Sequence, residues 1–334
     1  MKFLIVGLGS MGKRRIRNLQ YLGYNDIIGY DIRPDRNAEA EAKYGIVTYE
    51  SFDSAFEQNP DALIISTPPD EHSNYILKSI ELDLPFLVEA SVVDDRYDEI
   101  ISALGAKDLV GVPSCTMRFH YSTKLIKKLL DEGAIGKVYS YTHECRTYLP
   151  DWHTYEDYRD YYVSRRDVGG GRESVPFELE WLQWLLGKVT KIACMKDKVS
   201  NLDADIDDVY YLIVECENRV YGSLCIDVLS RVPFRELRII GEKGNISWDF
   251  TKKSVKLYIA DGNKWSEFKE PEAIKEGGYV FEDNVYIEEI KYFIGLLQRT
   301  EEKIYDFNYD WEVLKLLYLA EKSWDEKKIL NVEE

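Results

Sequence analysis

The stretch KFLIVGLGSMG, Lys2–Gly12, decides how the rest of the chain is read. An apolar run, Phe3–Val6, flows into Gly7-x-Gly9-x-x-Gly12, and KRRIRNLQYLG then reads as a helix. In such a strand–turn–helix each glycine has its own task. Gly7 permits the tight turn, Gly9 lets the backbone approach a pyrophosphate, and Gly12 lets the helix pack closely on the strand. The helix start, with Ser10 and Met11, offers unpaired N–H groups to phosphates. A second strand, DIIGYDIRP, carries Asp31 nineteen residues after Gly12. An acid there accepts hydrogen bonds from a ribose 2′-hydroxyl and repels a 2′-phosphate. NAD is therefore the expected cofactor in preference to NADP, although Arg33 and Arg36 nearby soften that preference.

The alternation continues through helices RNAEAEAKYG and SFDSAFEQ, strand DALIISTPP, helix DEHSNYILKSIELD, strand PFLVEA, helix RYDEIISALGA and strand KDLVGVPS. The expected fold class is α/β, with an N-terminal Rossmann doubly wound parallel sheet. Ligands of such sheets gather at the carboxyl ends of the strands. That edge holds Ser66, Thr67, Pro68, Glu89 and Ala90, with His72 in the helix that follows. From about Met117 the grammar changes. A helix ending at Gly133 leads to a strand, then to the tract TYLPDWHTYEDYRDYYVSRRDVGGG without clear periodicity. A tract of this length is usually functional when its composition is not that of a disordered segment. The segment VPFELEWLQWLLG then reads as a helix, with Ser174 as its N-cap, Pro176 in the first turn and Gly187 as its stop. Five strand-like runs in succession imply a large, open, mainly antiparallel sheet, and two helices follow. The expected domains are 1–118, NAD-binding, and 119–334, an α+β substrate-binding and oligomerisation domain.

The chain has 334 residues and a formal charge of −17, from 60 acidic and 43 basic side chains. That balance argues against nucleic acid and anionic membrane as partners. No run approaches the roughly 18 apolar residues of a membrane span. Five scattered cysteines without a CxxC pair fit reduced thiols in the cytoplasm better than disulfides or zinc. The apolar N-terminus reads as a first strand, not a signal peptide. One local feature runs against the global charge: Arg146, Arg159, Arg165, Arg166 and Arg172 lie within 27 residues. They are either an anion site or solvated surface charges.

Taken together, GLGSMG, STPPDEH, the VEAS strand end, MRFH…EGAIGKV, the GGG before the helix and LRIIGEKGNISWD resemble the glucose–fructose oxidoreductase, inositol dehydrogenase and MocA family along nearly the whole chain. The tyrosine-rich tract further resembles members found among sugar-nucleotide and surface-polysaccharide enzymes. The resemblance implies an NAD- or NADP-dependent oxidoreductase of a sugar or polyol hydroxyl, assembled as a homodimer or homotetramer. It also implies that Arg118 holds an anionic substrate, and Arg165 and Arg172 of the arginine cluster are further candidates for that task. Trp152, Tyr155, Tyr158 and Tyr161 either stack on a sugar or base or pack as a loop on their own domain.

The chain departs from the family where the chemistry is expected. The usual E-K-P strand end is Glu89-Ala90-Ser91, and the positions matched to the family's aspartate and histidine hold Ser174 and Phe177. Since a positioned general base contributes on the order of 10²–10⁴ in rate, a substitute is required. Glu178 is the first candidate, then Glu173, His153 and the hydroxyls of Tyr158 or Tyr161. His120 and His143 read as structural. The alternative is a degenerate family member that binds NAD or a sugar as a sensor or assembly partner. A transient redox cycle without net oxidation is a further variant.

Overall fold

The computed structural model describes residues 1–153, 155–272 and 283–332. Two compact units emerge, Met1–Thr116 with Glu282–Trp311, and Met117–Phe281 with Glu312–Glu334. The expected single cut after residue 118 is thus amended, because the chain returns to its first unit late in the sequence.

In the first unit, strands β1 (Phe3–Val6), β2 (Ile27–Tyr30), β3 (Val47–Tyr49), β4 (Ala62–Ile65), β5 (Phe86–Val88) and β6 (Gly111–Pro113) form one sheet in the order 3-2-1-4-5-6. All of its pairings are parallel. Helices α1 (Ser10–Tyr21), α2 (Pro34–Tyr44), α3 (Phe52–Phe56), α4 (His72–Glu81) and α5 (Tyr97–Gly105) connect the strands. The strand order reverses between β1 and β4, which is where such sheets bind ligands. β1 and β4 are buried throughout, so their uninterrupted apolar runs follow from helices covering both faces.

The second unit holds α6 (Tyr121–Asp131), β7 (Val138–Tyr148), α7 (Gly171–Leu186), β8 (Val189–Asp197), β9 (Val209–Cys216), β10 (Val220–Asp227), β11 (Leu229–Gly241), β12 (Gly244–Asp249), β13 (Ser254–Ile259) and β14 (Lys264–Lys269). With β15 (Leu330–Asn331) these strands make a nine-stranded sheet in the order 14-13-12-11-7-10-9-8-15, in which only β7 and β10 pair in parallel. Alternation sets its faces: Tyr210, Leu212 and Val214 of β9 are buried, whereas Tyr211 and Ile213 are exposed. Helix α8 (Asn284–Leu297) lies in the first unit, and α9 (Phe307–Glu326) follows it. No helix among the described residues is long and apolar enough to cross a membrane.

Helix α7 starts at Gly171, earlier than the expected cap at Ser174, and Pro176 falls inside it. The reason is the packing of the three glycines. A Cβ on Gly169 would meet the Val163 carbonyl oxygen at 2.3 Å, and one on Gly170, whose φ is +64°, would meet Ile206 at 2.7 Å. The helix thus begins against the wall of the tyrosine-rich tract.

Candidate functional site

In the first unit the glycine loop is built to admit a ligand's backbone-sized approach. A Cβ on Gly12 would lie 1.8 Å from the Gly7 carbonyl oxygen, and one on Gly7, at φ +89°, would lie 2.6 Å from that of Ser66. α1 has Gly9 at its N-cap with no side chain capping it, so its first amides are directed to what lies beyond the helix end. Asp31 braces the loop from behind. Its Oδ2 accepts from Leu8 N at 2.7 Å and its Oδ1 from Arg33 N at 2.8 Å, while Arg36 Nη1 stands 3.8 Å from Oδ2. Each carboxylate oxygen retains accepting capacity beyond these bonds, so a ribose hydroxyl is compatible with the brace. Arg33 itself is turned to Asp35 at 2.6 Å.

At the end of β4, Ser66 donates to Glu89 Oε1 at 3.2 Å, and Thr67 Oγ1 is buried with no hydrogen-bond partner among the described residues. His72 lies 3.0 Å through Nε2 from the Thr67 carbonyl. Burial pushes its imidazole down to about 4, so the neutral ring donates to that carbonyl and holds the strand end in place. The uncapped helix start, the tight glycine loop and the unmatched Thr67 hydroxyl all fit a dinucleotide. With its Cβ forced against backbone, Gly12→Ala must displace the helix start. NADH that saturates the natural chain in a fluorescence titration is expected not to saturate this variant.

Glu89 requires a correction. Its carboxylate grips Arg15 of α1 through both oxygens, at 2.7 and 2.8 Å, rather than standing ready for a ligand. Arg15 also reaches Glu289 of α8 at 2.7 Å, and Glu289 Oε1 accepts from Cys115 N and the Ser114 hydroxyl, each at 2.8 Å. Glu89 and Arg15 therefore tie α1, β5, the end of β6 and α8 into one buried frame beneath the loop. Sequence reasoning missed Arg15 and Glu289. The available signal was a glutamate ending an apolar run, which demands a cation. Beyond it, Ala90 is half-buried and Ser91 is buried, its hydroxyl without a hydrogen-bond partner among the described residues. No ionisable side chain stands at those two positions.

In the second unit the first-choice base, Glu178, is also corrected. It is fully buried and receives Arg235 Nη2 at 2.6 Å, His143 Nε2 at 2.8 Å and Trp181 Nε1 at 2.9 Å. Burial alone would push its carboxyl up, but the Arg235 charge and these donors hold it down at about 2. So strongly stabilised an anion is a poor proton acceptor. Glu178 joins α7 to β7 and β11 and is a structural group.

Glu173, in the first turn of α7, is different. Tyr162 donates to its Oε1 at 2.7 Å, while Oε2 is buried with no hydrogen-bond partner among the described residues. Burial pushes its carboxyl up to about 7, against the lowering effect of the Tyr162 hydrogen bond. His153 stacks between Tyr155 and Tyr161, with ring centroids 5.2 and 4.8 Å apart. Its Nδ1 lies 3.9 Å from Glu156. The Tyr161 hydroxyl is buried with no hydrogen-bond partner among the described residues, and its acidity is reduced by burial and then by Glu173 and Glu156. The structure thus brings Glu173, His153 and Tyr161 together, with Tyr162 and Glu156 as members that the aperiodic tract did not reveal.

The remaining substrate candidates are engaged within the fold. Trp152 donates to Thr147 Oγ1 at 2.9 Å, and the Tyr158 hydroxyl accepts from Asp203 N at 3.1 Å. Both rings pack against the buried cluster of Leu149, Val163, Ile206 and Val228. The arginines are ion-paired. Arg118 is buried against Glu180, Arg146 meets Asp227 at 2.8 Å, and Arg159 meets Asp157 at 2.5 Å. Arg165 stands 3.7 Å from Asp167, Arg166 2.7 Å from Asp207, and Arg172 2.7 Å from Glu321. No group of His, Cys, Asp and Glu among the described residues is arranged to hold a metal ion.

Comparison with known proteins bears on both units. Residues 1–100 match the oxidoreductase family, NAD-binding Rossmann fold, and residues 123–247 match the GFO/IDH/MocA C-terminal domain. Myo-inositol 2-dehydrogenase of Thermotoga maritima is 23% identical, over 100% of this chain and 99% of its own length. Levoglucosan dehydrogenase in complex with NADH shares the fold, with a TM-score of 0.85 at 15% identity and coverage of 100% and 99%. So does the WlbA dehydrogenase of Bordetella pertussis in complex with NADH and UDP-GlcNAcA, with a TM-score of 0.80 at 18% identity and the same coverage. The two domain matches together span more than half of the chain and coincide with the glycine-loop sheet and the large open sheet, so the chain belongs to the GFO/IDH/MocA family of NAD-binding oxidoreductases.

Proposed function

We propose that the protein is an NAD-dependent oxidoreductase acting on a hydroxyl or keto group of a sugar, with Glu173 handling the proton. The observation that carries this reading is the Glu173 carboxyl itself. It is pushed up to about 7 by burial, with Oε1 held by Tyr162 and Oε2 without a partner among the described residues. A group that titrates near the working pH is suited to both acceptance and donation. The relatives named for myo-inositol and levoglucosan, and the neighbour bound to UDP-GlcNAcA, support the sugar class.

Gly7, Gly9 and Gly12 with the start of α1 would hold the pyrophosphate, and Asp31 the adenosine ribose. When bound, NAD supplies the acceptor or donor of hydride. Glu173 takes the hydroxyl proton when the substrate is oxidised and returns it when the carbonyl is reduced. Tyr162 holds one carboxylate oxygen, which leaves the other, without a hydrogen-bond partner among the described residues, to carry the proton, and the Tyr161 hydroxyl donates to a substrate oxygen. Neither Ala90 nor Ser91 contributes an ionisable group, so the proton must be handled by another residue, and Glu173 is the one whose carboxyl titrates near 7.

The test is NADH formation at 340 nm by the purified chain across aldoses, inositols, amino sugars, sugar acids and their nucleotide-linked forms. Turnover on at least one class is expected. NAD binding without turnover on any of them would instead support a binding protein that has lost the chemistry.

A further inference from the structure

We infer that the glycine-loop site admits NADP(H) beside NAD(H), and that Arg36 is the residue that accommodates the 2′-phosphate. The inference rests on the reading that Gly7, Gly9, Gly12 and Asp31 hold a dinucleotide, and it goes beyond that reading by naming what sets the margin between the two cofactors.

The placement of Arg36 is the first observation. Its Nη1 stands 3.8 Å from Asp31 Oδ2, and a Cβ on Gly9 would meet the same nitrogen at 3.3 Å. The guanidinium therefore lies beside both the acid that faces the ribose and the glycine that caps α1. A phosphate on the 2′-oxygen of a ribose held by Asp31 falls within its reach. The start of α2 keeps it there. Asn37 Nδ2 donates to the Asp31 carbonyl at 2.9 Å, and Asn37 Oδ1 accepts from Asp31 N at 3.0 Å. This reciprocal pair fastens the first turn of α2 to the end of β2, with Arg36 one residue away. Arg33 is placed differently. It is bound to Asp35 through Nε at 3.1 Å and Nη2 at 2.6 Å, and its side chain is 46% exposed against 21% for Arg36.

Charge balance is the second observation. Asp31 is not free to turn aside for a phosphate, because its oxygens accept from Leu8 N at 2.7 Å and Arg33 N at 2.8 Å and so hold the loop. Alone, that carboxylate would oppose a 2′-phosphate on the order of a thousandfold, the scale of like charges brought into contact. Here it is matched, one for one, by a guanidinium whose five N–H donors can serve two anions at once. A planar fork of this kind suits a phosphate. The nearby Asp35 is neutralised by Arg33. The −17 of the whole chain is spread over the surface and is largely screened beyond roughly 8 Å at physiological salt, so the local pair decides.

The experiment is a titration of the purified full chain with NADH and with NADPH, each followed by nicotinamide fluorescence with no sugar present. NADH is expected to bind the more tightly, but by roughly tenfold rather than a thousandfold, since the guanidinium returns most of the penalty. Arg36→Gln is expected to weaken NADPH by roughly ten- to a hundredfold more than it weakens NADH, the scale of a hydrogen bond between charged groups. Arg36→Lys keeps the charge and loses the fork, and is expected to fall between the two. Equal weakening of both cofactors in Arg36→Gln would place the guanidinium on the shared pyrophosphate instead and overturn the inference. So would NADPH that fails to bind the natural chain while NADH saturates it. Because no turnover is read, a chain that oxidises no sugar sinks the proposed activity and leaves the cofactor result intact. A chain that binds neither cofactor sinks both.

Discussion

Glu178→Gln is expected to cost about 3–5 kcal/mol of folding stability, the penalty for breaking a buried ion pair from one side. The variant leaves Arg235 buried with its charge uncompensated and deprives the His143 and Trp181 N–H groups of an ionised acceptor. Those three partners come from β7, β11 and α7 itself, so the loss falls on the seam between sheet and helix. In thermal unfolding followed by circular dichroism it corresponds to a fall on the order of 10 °C. The double variant Glu178→Gln/Arg235→Met removes the stranded charge and is expected to recover part of the loss. The same anion gives a pH signature. A carboxyl held at about 2 in the fold and near 4.5 when unfolded contributes stability that is complete above pH 4.5 and is lost as pH falls toward 2. In Glu178→Gln that part of the acid dependence is expected to be missing. Unchanged stability in the single variant would mean that Glu178 is not the anchor described.

Glu173→Gln is expected to lower kcat by roughly 10²–10⁴-fold, the usual contribution of a positioned general base, while leaving NADH binding in the first unit unchanged. Glutamine keeps the size of the side chain and can still accept from Tyr162, so the fold around α7 is retained. What it cannot do is hold or release a proton. A loss confined to KM would indicate a group that only positions the substrate. Glu173→Asp retains the ionisable group one methylene short and is expected to fall between the two, since proton transfer requires hydrogen-bond reach.

The contrast between these two glutamates shows where the sequence is informative. They stand five positions apart on one helix. Val175, Leu179, Leu182 and Leu186 mark its buried stripe, and Glu178 falls within that stripe. Periodicity thus signals that Glu178 is buried. Its partners His143 and Arg235 lie 35 and 57 residues away on other strands, and only the fold brings them to it. Burial with partners makes an anchor, and burial without them makes a titratable acid. That distinction cannot be read from spacing.

The first unit was more legible because its signals are local. Glycines at fixed offsets, an acid after the second strand and continuous apolar strands each follow from a short window of sequence. β3 escaped notice because it is three residues long and its Val47 is exposed, so no buried run announces it. The return of α8 to the first unit was equally hidden, since its Glu289 meets Arg15 across 274 positions. In the tyrosine-rich tract Trp152, Tyr158, Tyr161 and Tyr162 all pack against a small core, and Tyr161 also stacks on His153. Short 3₁₀ turns rather than a regular helix or strand set those directions, and they leave no periodic trace.

The most direct test of the account is the pH dependence of kcat/KM for sugar oxidation in the natural chain, Tyr162→Phe and Glu173→Gln. With Glu173 as the base, the rate must rise as pH increases through about 7, where the carboxyl loses its proton. Tyr162→Phe removes a hydrogen bond that lowers this value, so its rise is expected at higher pH, and Glu173→Gln is expected to show no such rise at its much lower rate. A rise near pH 7 that persists unchanged in Glu173→Gln would assign the proton to another group and contradict the account.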